Sequence, residues 1–167
     1  MNIETALKTA MEMELRIRDV YVQAFEKCSD AAGRRFFAMM RDDEQYHHDY
    51  LGKRLKEWGQ SGDIQYQDIE MNVPASQQIE ACVQDVRKAM AVEDRGVVQQ
   101  MLSNALTGEV LTSEFYEKMV LDSKGSLKQV FARFLEIENG HIAAVQAELD
   151  YVMNTGYWFD FKEFDME

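Results

Sequence analysis

The stretch Arg41-Asp-Asp-Glu-Gln-Tyr-His-His-Asp-Tyr-Leu51 decides how the rest of the chain is read. Within it Glu44 and His47 stand three residues apart. On a helix such residues share a face about one turn apart, so a carboxylate oxygen and an imidazole nitrogen can converge on one point. That spacing suits a metal ion. It recurs at Glu138-Asn-Gly-His141, so that two of only three histidines have a glutamate three positions before them.

The 167 residues are expected to form one domain, 1–167, long enough to bury a sizeable core. A single proline, 9 glycines, 11 methionines and long runs free of helix breakers point to an all-α fold. The formal net charge of −12 argues against nucleic acid or an anionic membrane as partner. Met1-Asn-Ile-Glu-Thr-Ala shows neither a basic region nor an apolar core, so no secretory signal is expected. No stretch reaches the roughly 18 uninterrupted apolar residues of a membrane span. Cys28 and Cys82 form no Cys-x-x-Cys and no disulfide framework, and a cytoplasmic protein is expected.

Outward from the opening stretch, a helix over about Asp30 to Trp58 places Phe37, Met40, Glu44, His47, Leu51, Leu55 and Trp58 on one inward line. A first helix, about Ile3 to Cys28 with Asn2 as N-cap, has the line Leu7, Ala10, Met11, Glu14, Ile17, Tyr21, Ala24. Ser29-Asp30-Ala-Ala-Gly33 is a short connection, which makes these two helices antiparallel neighbours. A third helix, about Asp94 to Leu121, carries Val98, Leu102, Ala105, Glu109, Thr112, Tyr116 and Met119 inward. A fourth, about Leu127 to Met153 with Ser126 as cap, carries Leu127, Phe131, Phe134, Glu138, His141, Val145 and Val152. Between the pairs lies a polar segment with Pro74, then a short amphipathic helix from Ser76 to about Met90, together a long crossover. The aromatic tail Gly156-Tyr-Trp-Phe-Asp-Phe is expected to fold back over the bundle or into a subunit contact, because in water it would expose a large apolar patch.

The halves repeat one another. Glu14 and Tyr21 match Glu109 and Tyr116 at an offset of 95, and Phe37, Glu44 and His47 match Phe131, Glu138 and His141 at 94. A two-helix unit used twice predicts a pseudo-two-fold four-helix bundle. All four glutamates fall near the middle of their helices on the apolar line, so they meet in the core. Buried carboxylates are costly and repel one another, unless protons or cations neutralise them. Two divalent ions would balance four carboxylates, with two neutral imidazoles as further donors. For Glu14 a structural alternative is pairing with Arg18. His48 points about 100° away from His47 and reads as a surface residue. Glu12, Glu114, Glu117 and Glu136 lie off the inward lines and read as solvated. Asp43 is a candidate to hydrogen-bond a ligand. Tyr21 and Tyr116 stand about two turns from the glutamates of their own helices. They either reach a carboxylate or open pocket on a neighbouring helix or are ordinary core tyrosines.

On the paired Glu-x6-Tyr and Glu-x-x-His motifs the chain, over roughly residues 3 to 155, resembles the rubrerythrin-like branch of the ferritin-like di-iron carboxylate superfamily. The resemblance implies a ferritin-like four-helix bundle of two hairpins joined by a long crossover, with Glu14, Glu44, His47, Glu109, Glu138 and His141 as metal ligands and Glu44 and Glu138 bridging. It also implies two iron ions, with manganese or zinc as substitutes, acting on H2O2 or O2. Rubrerythrins usually carry a second metal-binding glutamate where Thr112 stands, and many add a four-cysteine iron centre that this chain lacks. An external donor such as a rubredoxin is therefore expected to supply electrons, and a homodimer is the expected assembly. The alternative is a bacterioferritin-like ferroxidase or iron store, which would form a large hollow cage. Manganese catalase and a metal-free helical interaction module are further readings.

Overall fold

The computed structural model describes residues 2–70, 73, 95–155 and 158. Among these the chain forms four helices and no strand: α1 (Ile3–Lys27), α2 (Ala31–Ser61), α3 (Arg95–Asp122) and α4 (Gly125–Thr155). The Asn2 side chain accepts from the Thr5 amide at 2.7 Å, and Asp30 accepts from the amides of Ala32 and Gly33. Each cap satisfies backbone donors that have no partner inside the helix. Helix α2 runs through Gly59 and stops only at Gly62, whose left-handed conformation (φ 69°) closes it. Helix α4 starts at Gly125 (φ 59°), two residues before the expected Leu127.

Helix α1 packs along α2 and α3 along α4, and α1 also meets α3. Two apolar clusters fill the bundle, one toward each end. One holds Ala6, Leu7, Tyr50, Leu51, Met119, Leu127 and Phe131, which come from the start of α1, the end of α2, the end of α3 and the start of α4. The other holds Ala24, Phe36, Phe37, Val98, Leu102, Val145 and Val152 from the opposite termini. The end of α2 and the start of α3 thus lie at opposite ends, and the connection between them must travel the length of the bundle. At 1.5 Å per residue the 31 residues of α2 extend about 45 Å, which is why a short loop cannot serve. The start of this crossover is tied down. Buried Arg54 donates to the Gln65 carbonyl at 2.8 Å, Tyr50 donates to the Gln67 carbonyl at 2.5 Å, and Arg133 of α4 donates to the Ile69 carbonyl at 2.9 Å. Ile64 and Ile69 belong to the first cluster and Val73 to the second, so the chain changes ends here. The short helix expected from Ser76 to Met90 lies outside the described residues.

These contacts make a four-helix bundle of two antiparallel hairpins. The inward lines are buried as expected, except that Met11, Leu55 and Trp58 are half-buried. Among the described residues no helix is long and apolar enough to cross a membrane.

Of the aromatic tail, Trp158 is described. It is 1% exposed, with its ring 5.3 Å from that of Phe37 and 6.3 Å from that of Phe36. Its seat depends on Gly33, where a Cβ would overlap the indole and lie 2.7 Å from the Cys28 sulfur. Overpacking of this kind costs about 1–3 kcal/mol. Gly33→Ala is therefore expected to lower the unfolding free energy by that amount and the urea midpoint with it, and an unchanged midpoint would show that the indole does not sit against α2.

Candidate metal centre

Glu14, His47, Glu109, Glu138 and His141 have no solvent exposure and Glu44 has 1%. They come from all four helices and lie between the two apolar clusters, which seal them from both ends. Glu44 stands between two groups of donors. Its Oε2 is 3.1 Å from Nδ1 of His47, which in turn is 3.3 Å from Glu14 Oε2. Its Oε1 is 2.8 Å from Nδ1 of His141, which is 3.6 Å from Glu109 Oε2. One donor atom each from Glu44, His47, Glu138 and His141 can be chosen so that all lie within 4.8 Å of one another. Several of these atoms make no aligned hydrogen bond: Glu14 Oε2, Glu44 Oε1, Glu109 Oε2, both oxygens of Glu138 and Nδ1 of His141. Buried acceptors are normally satisfied. Here lone pairs converge on shared points instead of on each other's hydrogens.

The surroundings hold these donors in place. Tyr21 on α1 donates to Oε1 of Glu109 on α3, and Tyr116 on α3 donates to Oε1 of Glu14 on α1. Each tyrosine thus serves the glutamate of the other half, because α1 and α3 run antiparallel. Their close approach is visible at Gly108, where a Cβ would overlap Ile17 Cδ1. Asp43 Oδ2 lies 3.2 Å from Nε2 of His141 and accepts its hydrogen bond, across from α2 to α4. Arg18 does not neutralise Glu14: its guanidinium donates to Asp19 and Gln45. The Thr112 hydroxyl is buried and donates to the Gly108 carbonyl of its own helix at 3.1 Å. His48 meets Asp49 away from the cluster, and Glu12, Glu114, Glu117 and Glu136 are exposed.

Two buried charged residues, Arg54 and Glu148, fall outside the set expected from the sequence. Arg54 sits one residue off the apolar line, and its burial follows from the crossover segment laid over it. Glu148 lies seven positions beyond His141 on the same helix, a spacing of two turns that could have placed it inward.

Without metal, protons must carry the charge balance. Burial raises Glu44, the nearby Glu109 charge adds to this and His141 opposes it, leaving its pKa at about 7. Burial and then the charges of Glu14, Glu109 and Glu44 push Glu138 well above the usual carboxylate range. For His47 burial acts downward, but hydrogen bonds to Glu14 and Glu44 outweigh it and raise the pKa to about 9. Burial likewise opposes protonation of His141, yet the charges of Glu44 and Glu109 lift it well above the ordinary imidazole value. Glu14 is held low despite its burial, chiefly by His47. Burial and the facing carboxylates keep both tyrosines protonated and donating, Tyr21 opposite Glu109 and Tyr116 opposite Glu14.

Carboxylate oxygens and imidazole nitrogens suit Fe(II), Mn(II) or Zn(II), and no thiolate approaches them among the described residues. Fold and site together define an all-α four-helix bundle with a buried Glu–His cluster able to hold a metal ion. No family model and no curated protein matches the chain. A solved structure of a hypothetical protein from Pyrococcus furiosus is similar in fold, with a TM-score of 0.65 at 18% identity over 95% of this chain and 94% of that one.

Proposed function

We propose that the chain is a dinuclear metal carboxylate protein, with iron the metal, that reduces H2O2 or O2 at the expense of Fe(II). The observation that carries this reading is the position of Glu44, whose two oxygens face two separate imidazole–carboxylate groups. In it Glu14, Glu44, His47, Glu109, Glu138 and His141 would hold the two ions, with Glu14 and His47 serving one, Glu109 and His141 the other, and Glu44 and Glu138 shared. When bound, two ferrous ions would supply the two electrons that, with two protons, convert one H2O2 to two waters.

The protein's own contributions are positional and electrostatic. The apolar clusters exclude bulk water, which strengthens every charge interaction inside. Tyr21 and Tyr116 hold one oxygen each of Glu109 and Glu14, leaving the other oxygen of each to face the centre. With only two cysteines the chain has no four-cysteine iron site of its own, so a separate donor protein of rubredoxin type would restore the ferrous state. The reading includes a cytoplasmic location and a small oligomer, a homodimer.

Loading the metal-free chain anaerobically with Fe(II) is expected to give about two ions per chain. Mixing with H2O2 or O2 in a stopped-flow instrument is then expected to produce a ferric absorbance change. Uptake of two ions with no change on mixing with either oxidant would leave a metal protein without this chemistry.

A further inference from the structure

The repeat makes the two halves of the site nearly equivalent, and the exceptions all fall on one side. Glu14 and Glu109 correspond and each accepts from a tyrosine of the other half. His47 and His141 correspond, and both present Nδ1 to Glu44. Their other nitrogens differ. Nε2 of His141 donates to Asp43 at 3.2 Å. Nε2 of His47 is buried with no hydrogen-bond partner among the described residues. The cause is legible in the sequence: Asp43 directly precedes Glu44, and the residue that directly precedes Glu138 is Ile137, fully buried and aliphatic. A second difference has the same sense. Thr112, one turn beyond Glu109, corresponds to Ile17 one turn beyond Glu14.

We propose that the two metal positions are unequal: the Glu109–His141 position, supported by Asp43, fills first, and the Glu14–His47 position is the weaker and more readily exchanged. The inference rests on the two-ion reading above. An imidazole ligates through a nitrogen that carries no proton, so the ring's single proton must sit on the other nitrogen. For His141 the carboxylate of Asp43 accepts that proton's hydrogen bond, fixes the tautomer, holds the ring and makes Nδ1 a better donor. For His47 the same tautomer leaves a buried N–H without an acceptor. The alternative tautomer satisfies its hydrogen by donating from Nδ1 to Glu14 and Glu44, but then Nδ1 cannot ligate. Metal must displace the contact of Nδ1 with Glu44 at both rings, but only at His141 does the proton left on Nε2 have an acceptor. Neighbouring rings add nothing polar at Nε2, since His47 meets Phe134 edge-on at 5.5 Å and stacks on His141 at 5.4 Å. Asp43 is thus a positioning residue for one ion only.

The test is a calorimetric titration of the full-length metal-free chain with Co(II), followed in parallel by the visible absorbance of the bound ion. Two steps are expected, separated by about 10–100-fold in affinity, the usual effect of losing a ligand's hydrogen-bond partner. Asp43→Asn is expected to weaken the tight step by about that factor and leave the weak one in place. His141→Ala should abolish the tight step and His47→Ala the weak one. Ile137→Asp, which supplies the missing acceptor, should tighten the weak step. Circular dichroism of each variant checks that it is folded, and Asp43→Asn, being isosteric, keeps the test open if Ile137→Asp is not. Two ions bound with equal affinity, or a tight step that survives His141→Ala, would overturn the inference while leaving the two-ion centre standing. Uptake of one ion or none would overturn both.

Discussion

Glu138→Gln is expected to stabilise the metal-free chain and, in the same protein, to remove most of the stabilisation that metal brings. Both oxygens of Glu138 are buried without a hydrogen-bond partner and face the charges of Glu14, Glu109 and Glu44. These charges hold the Glu138 carboxyl protonated, so folding near neutral pH takes up a proton that the unfolded chain does not carry; glutamine, neutral and of the same shape, removes that cost, a gain of about 1–2 kcal/mol. In the loaded protein the sign reverses. A ligand present at a thousandfold excess over its dissociation constant adds about 4 kcal/mol, equivalent in a chain of this size to about 10 °C in Tm per ion. Gln is a poor bridging ligand, so the variant should lose most of that increment. Thermal melts in chelator and in excess Mn(II) measure both effects. A variant that is less stable without metal, or that gains as much from metal as the parent does, would contradict a metal role for this side chain.

Stability of the metal-free chain is expected to fall as pH rises from about 5 to 9, and the increment from metal to grow over the same range. Glu44 titrates at about 7 in the fold against 4.5 for the free side chain, and His47 at about 9 against 6.5. Glu138 and His141 shift in the same direction. A group whose folded pKa lies above its unfolded value binds its proton more tightly when folded. Its contribution is therefore complete below the unfolded pKa and is lost as pH rises through the folded one. Glu44 accounts for the lower part of the window and His47 for the upper, a loss on the order of a few kcal/mol together. The lowered pKa of Glu14 acts oppositely, but only below its ordinary value of 4.5. Metal displaces these protons, so binding should release them, and calorimetry in buffers of different ionisation enthalpy counts them. Denaturation midpoints that stay level or climb between pH 5 and 9 in chelator would mean that protons do not balance this cluster.

Much of this centre could be read from residue numbers. The offsets of 95 and 94 between halves put four mid-helix glutamates and two histidines at one level, and all six are buried there. The helix ends were less legible. The expected end of the second helix at about Trp58 falls short, since α2 passes through Gly59 and is capped at Gly62; an exposed glycine costs a helix only about 1 kcal/mol when the helix is otherwise well packed. Arg18 was a candidate partner for Glu14 on spacing alone, but the side chain reaches Gln45 of α2 instead.

What the sequence determined by itself was the face and the height of each acidic group, since a period of 3.6 residues converts position along the chain into position around and along one helix. Which groups meet was decided by the tertiary structure. That Tyr21 serves Glu109 and Tyr116 serves Glu14, and that Asp43 supports His141 while His47 has no such support, follows from which helices lie side by side and in which direction they run. The pattern within a single helix carries no record of its neighbours, and the packing of the two hairpins supplies it.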